Sequence, residues 1–170
     1  MNSHLPAPQG LYDPRFEHDA CGVSFVANMK GVRSHDIVAK GLMALCNLEH
    51  RGATGAEETT GDGAGILIQV PDRFLRAEVG FALPAEGAYA VGMAFLPAAT
   101  GVTEKAQAAV EAIVAEEHLT SLGWRDVPIE PSILGATALS VMPVFKLFFI
   151  ADPAGAIGVD LDRKVYMVRK

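Results

Sequence analysis

Apolar residues recur along this chain at two spacings that alternate from block to block, and only a mixed α/β or α+β fold accommodates both. The clearest block is 103–119, where Ala106, Val110, Ile113 and Val114 track a 3.6-residue period and predict a long helix. A second helix is predicted over 35–49. Ile37, Val38, Leu42, Leu45 and Cys46 form its apolar face there, with Ser34 placed to cap it and Cys46 on the buried side. Pro71-Asp72 opens a short helix over 73–78. Strands are predicted at 22–29, where Val23, Phe25 and Ala27 alternate with polar neighbours, and at 88–96. Two more are expected at 124–129, ending before Pro131, and at 144–150, the last fully buried; 66–70 is a short apolar run. Leu161, Val165 and Val168 are spaced for a helix, with a strand as the alternative. Residues 1–20, punctuated by Pro6, Pro8, Gly10 and Pro14, read as an extended leader.

Composition narrows the function. With 170 residues, half of them hydrophobic, the chain can bury a core and is either one compact domain or part of a larger one. Its net charge is −6, without a basic block of five or six residues, which speaks against a nucleic-acid surface. No apolar run reaches the roughly 18 residues of a membrane span; the longest, 141–151, is broken by Pro143 and Lys146. The N-terminal region lacks the apolar stretch of a secretory signal. Two cysteines, Cys21 and Cys46, cannot build a disulfide framework or a four-thiolate zinc site, and a reducing cytoplasmic compartment is expected. Residues 163–170 stop inside a patterned segment without a cap or turn signal, so an incomplete domain is expected.

Few residues are placed to do chemistry. Cys21 stands where the leader meets the first predicted strand. It is either a small buried hydrophobe or, after cleavage of the Ala20–Cys21 bond, a nucleophile carrying its own base. The new α-amino group, with a reference pKa of about 7.7–8.0, could take the thiol proton near neutrality. The stretch 50–65, HRGATGAEETTGDGAG, holds five glycines and reads as a long loop. Gly61, Gly63 and Gly65 lack the spacing and the following helix of a dinucleotide loop, so a turn or a substrate loop remains. His50-Arg51 either complements the dipole of the preceding helix or projects a guanidinium into a site, where it would lower a thiol pKa. Glu57, Glu58 and Asp62 read as a solvated cluster rather than an acid–base pair. The five histidines show no metal-ligand spacing, so no metal site is expected.

Longer stretches carry a resemblance. LYDPRFEHDACGVSF (11–25) is similar to the propeptide junction of glutamate synthase large subunits, and NLEHRGATGAEETTGDGAGILIQVPDRF (47–74) resembles the loop region that follows it there. LGWRDVPIEPSILG (122–135) and DRKVYMVRK (162–170) extend the likeness through nearly the whole chain. The resemblance implies a class II glutamine amidotransferase domain of the N-terminal nucleophile hydrolase fold, an α+β four-layer αββα sandwich, of which 21–170 would be the first part only. It implies that residues 1–20 are removed, that Cys21 attacks the side-chain amide of L-glutamine, and that glutamate and ammonia leave through a thioester. Arg51 would lie near the thiol. In the complete enzyme ammonia would aminate 2-oxoglutarate at an FMN-containing domain. Electrons would come through an iron–sulfur cluster from a small subunit using NADPH or from ferredoxin; neither cofactor belongs to this segment.

The sequence also departs from that family. Its RFSTNT-like arginine segment, its NGEIN-like oxyanion-hole segment and its later substrate-binding aspartate do not occur in 1–170. One lost oxyanion donor costs on the order of 10²–10³ in rate, so little activity is expected of these residues alone. Two rivals follow: a catalytically inactive truncated fragment or interaction module, and a cysteine hydrolase acting on another amide or peptide.

Overall fold

The computed structural model describes residues 8–10, 13, 22–49, 52, 57, 59–61 and 63–170. They belong to two compact units, 1–67 and 68–170.

The second unit is built on a three-stranded antiparallel sheet. Helix α2 (Asp72–Glu78) is followed by β1 (Ala90–Leu96), α3 (Val102–Glu116), β2 (Thr120–Asp126), a short 3-10 turn (Pro131–Ile133), α4 (Ala136–Val141), β3 (Val144–Ala151) and α5 (Gly158–Arg169). β3 lies at the centre, in the order β1-β3-β2. Val91 stands opposite Phe149 on one side of it, and Trp124 opposite Phe148 on the other.

Alternation along β3 sorts the core into two layers. Phe148 and Ile150 pack with Val110 and Val114 of α3, Val165 and Val168 of α5, Leu119 and Trp124. On the opposite face Phe149 and Ala151 pack with Leu75 of α2, Tyr89, Val91 and the segment carrying Val79, Phe81 and Leu83. Phe149 is wholly buried. Phe81 meets its ring edge-on at 5.2 Å.

Most predicted elements of this unit form where expected, including the helix over 161–168. β2 starts and ends earlier than the predicted 124–129. Val127 still donates to the Phe145 carbonyl at 3.1 Å, but Pro128 has no N–H to extend the ladder. β3 is fully buried only toward its C-terminal end. Lys146, in its first half, keeps its amine on Asp126 at 2.5 Å. The 3-10 turn and α4 bury no residue and have no apolar periodicity to predict them.

Helix α3 ends in a Schellman motif. Leu119 N–H bonds to the Val114 carbonyl at 2.9 Å and His118 N–H to Ala115 at 3.0 Å. His118 takes the left-handed position, φ 59°, that glycine usually fills.

In the first unit α1 (His35–Asn47) matches the predicted helix. Ser34 stands at its N-cap in extended conformation, yet its side chain makes no capping bond. Two expectations fail here. No residue of α1 is buried and Cys46 is exposed, because periodicity creates an apolar stripe without supplying the surface that covers it. The segment 22–28 is not a strand: Val23 and Phe25 are 93% and 92% exposed. Alternation makes a residue run fit for a sheet, but a strand exists only when a neighbour takes its N–H and C=O groups. The leader, apart from 8–10 and 13, lies outside the described residues.

Candidate active site

Cys21 and Arg51, the two residues expected to carry the chemistry, lie outside the described residues, as do His50, Glu58 and Asp62. Their flanks are described. Helix α1 closes with Leu48 N–H bonding to the Ala44 and Leu45 carbonyls at 3.1 Å each. Gly52 N–H then reaches back to the Glu49 carbonyl at 3.0 Å, joining the two positions on either side of His50-Arg51. A β-carbon on Gly52 would stand 3.3 Å from that same carbonyl oxygen, tighter than ordinary contact.

Of the three loop carboxylates, Glu57 is described. It takes the Thr60 hydroxyl on its carboxylate and the Thr60 N–H on its carbonyl, the latter at 3.0 Å. Glu57 is partly buried and holds a local turn. Gly63 and Gly65 have open space where a side chain would stand. Exposed Cys46 is a free thiol on α1. Among the described residues no three His, Cys, Asp or Glu side chains gather where they could hold a metal ion, and no helix is long and apolar enough to cross a membrane.

Two polar networks in the second unit were missed at the level of motifs. Asp72 accepts the Tyr89 hydroxyl at 2.9 Å and Arg76 Nε at 2.9 Å. Burial, with help from that bond to Asp72, pushes the Tyr89 phenol up to about 12. Arg76 also donates to the carbonyls of Leu83, at 2.9 Å, and Pro84, so the 79–88 segment is tied to α2. The i,i+4 spacing of Asp72 and Arg76 was the available signal. Asp152, whose side chain is buried, accepts Lys164 Nζ and the N–H groups of Ala154 (2.9 Å) and Ala156 (3.3 Å). The Lys164 bond leads in holding its carboxyl below the usual range. Both networks fasten loops.

The assignment of the chain therefore rests on its pattern of residues. The family model for class-II glutamine amidotransferases matches residues 21–170. The chain is 40% identical over 170 residues to the glutamate synthase [NADPH] large chain of Bacillus subtilis, covering 99% of this chain and 11% of that one. It is 40% identical over 175 residues to the glutamate synthase [NADH] of Schizosaccharomyces pombe, covering 98% and 8%. With the ferredoxin-dependent glutamate synthase 2 of Synechocystis it shares 39% over 156 residues, covering 90% and 10%. The chain thus spans about a tenth of the length of these relatives. With the family model matching residues 21–170, the chain belongs to the class-II glutamine amidotransferases.

Proposed function

We propose that this chain is the glutaminase segment of a glutamate-synthase-type enzyme, with residues 1–20 a leader and Cys21 the nucleophile its removal exposes. The observation that carries the reading is that the family match opens at Cys21 itself. The relatives' names, all glutamate synthases, support the larger setting.

The chemistry follows from one residue. The free α-amine of Cys21 accepts the thiol proton, and the Sγ thiolate attacks the side-chain amide carbon of L-glutamine. The protonated amine returns a proton to the departing nitrogen, and ammonia leaves a γ-glutamyl thioester. Water, deprotonated by the same amine, releases glutamate and restores the thiol. Arg51 acts near the thiol by favouring the thiolate. The proposed fold is the αββα sandwich. Support for one of its helix layers comes from α3 and α5, which cover a single face of an antiparallel sheet. Ammonia would go to 2-oxoglutarate in the remaining domains, in the cytoplasm, with a small subunit using NADPH or ferredoxin as electron donor. Two cysteines are too few for the thiolates of an iron–sulfur cluster, so this segment does not fit one. The iron–sulfur cluster and FMN belong to those other domains, and no step here runs through them.

The test uses the complete enzyme. Intact-mass analysis should find its chain beginning at Cys21. Cys21→Ser should abolish glutamine-dependent synthesis, and Arg51→Ala should lower it by at least about tenfold, while both keep ammonia-dependent synthesis. A glutamine-hydrolysing form that retains residues 1–20 refutes the reading, and equal loss of both activities in Arg51→Ala assigns that residue to folding.

A further inference from the structure

We infer that the outer edge of β1 is the seat of a fourth strand, antiparallel to β1 and supplied by polypeptide that follows α5. β1 and β2 are both antiparallel to β3 and flank it, so β1-α3-β2 is a split β-α-β unit. α3 and α5 cover the same face of the sheet. β3 runs opposite to β1, so a crossover of the same hand, starting from β3 through α5, travels in the opposite lateral direction. Crossovers share one hand in nearly all proteins. The path therefore leads away from β2 and past β1, and the first place without a strand among the described residues is the outer edge of β1.

That edge is built to be covered. β1 reads AVGMAFL, without a charge, a proline or a bulge. The opposite edge, β2, carries Arg125, Asp126 and a bulge between Ser121 and Gly123, features that discourage further pairing. On one face of β1, an edge strand, Met93 and Phe95 are 51% and 66% exposed. On the other face Ala90, Gly92 and Ala94, with Val165, Tyr166 and Arg169 of α5, line a groove of about 590 Å³, to which the intervening Val91 and Met93 also contribute. A strand laid along β1 sends alternate side chains to the two faces. One set would enter the groove that the small residues leave, and the other would pair across from Met93 and Phe95.

The experiment compares the 170-residue chain with the same chain extended at Lys170. The extension is roughly 20 residues copied from the stretch that follows the matched region in the Bacillus subtilis large chain, enough for a short connection and a strand. Amide hydrogen exchange is read along β1. The β1 amides not bonded to β3 should exchange at least about 100-fold more slowly in the extended chain. A scrambled extension should leave them unprotected, with the β2–β3 amides protected throughout as a check on folding. Added as a free peptide, the copied stretch should protect the same amides in the unextended chain. The inference is overturned if neither form of the stretch slows exchange in β1. It is equally overturned if the 170-residue chain is already protected there as a dimer by light scattering, since a second copy would then be the occupant. No glutamine chemistry is read, so failure here leaves the reading of Cys21 untouched.

Discussion

Gly123 is the tightest point of the sheet and the place where one methyl group should do most damage. Its φ is +149°, a region side chains rarely adopt, and a β-carbon there would stand 2.7 and 2.8 Å from two atoms of the Phe81 ring. Carbon atoms in good contact sit about 3.5–4.0 Å apart, so the ring would have to retreat by roughly 0.7 Å or more. It has little room: Phe81 meets Phe149 edge-on at 5.2 Å, and Phe149 is wholly buried. Overpacking of this kind costs about 1–3 kcal/mol, and the backbone strain adds about 1–3 kcal/mol. Gly123→Ala is therefore expected to destabilise the chain by about 2–6 kcal/mol. Phe81→Ala removes a half-buried ring and should cost about 1.5–3 kcal/mol by itself. In the double variant the clash is gone while the backbone strain stays, so the double loss should fall short of the sum by about 1–3 kcal/mol. Urea unfolding followed by the fluorescence of Trp124, the single tryptophan, reads all four corners of the cycle. Additivity within about 0.5 kcal/mol would refute the steric account. A Gly123→Ala variant as stable as the parent would refute both terms.

Two further predictions use the same chain. His118→Gly should stabilise by about 0.5–1 kcal/mol, because the left-handed position of the Schellman motif costs a side-chain-bearing residue about 1–2 kcal/mol and glycine's greater unfolded freedom returns part of it; a midpoint in urea that falls instead of rising would contradict this. Asp152, with its carboxyl held low by Lys164 and two backbone N–H groups, contributes stability that is fully present above the ordinary carboxylate range and is lost as pH falls through its depressed folded value. The stability advantage of the parent over Asp152→Asn should thus be constant from neutrality to about pH 5 and shrink below about pH 4; an advantage that does not change with pH down to acid unfolding would show that charge is not what the site uses.

The contrast between 22–28 and β3 shows how far periodicity reaches. Both segments have apolar residues at strand spacing. β3 has β1 on one side and β2 on the other to take its backbone groups, and Phe149 and Ile150 are buried on its two faces. Among the described residues, 22–28 pair with no strand, and Val23 and Phe25 stand exposed. Helices α3 and α5 were legible because each closes its hydrogen bonds within itself. The exposure of Cys46 was not, because α1 carries its apolar stripe without a buried residue. Position 123 was equally silent, since nothing local announces that Phe81, forty-two residues earlier, will lie across it.

The candidate site divides along the same physical line. Cys21 was legible as a candidate from its place at a cleavage point, since a nucleophile that carries its own base needs no partner elsewhere in the chain, whereas Arg51 was left open by its spacing and set near the thiol only through the resemblance; both lie outside the described residues. An oxyanion hole and a clamp for the substrate's charges are different in kind. They need donors brought from separate segments to within hydrogen-bond distance of one carbonyl, and no RFSTNT-like or NGEIN-like segment occurs in residues 1–170. Under the two proposals above, the outer edge of β1 and the proposed nucleophile Cys21 pose the same requirement in two forms: each has its backbone or its reagent in place, and each takes its complement from segments that residues 1–170 do not contain. The extension that protects the β1 amides is therefore expected not to restore glutamine hydrolysis by itself, because pairing one strand extends a sheet and leaves the donors around the thiol still to be supplied.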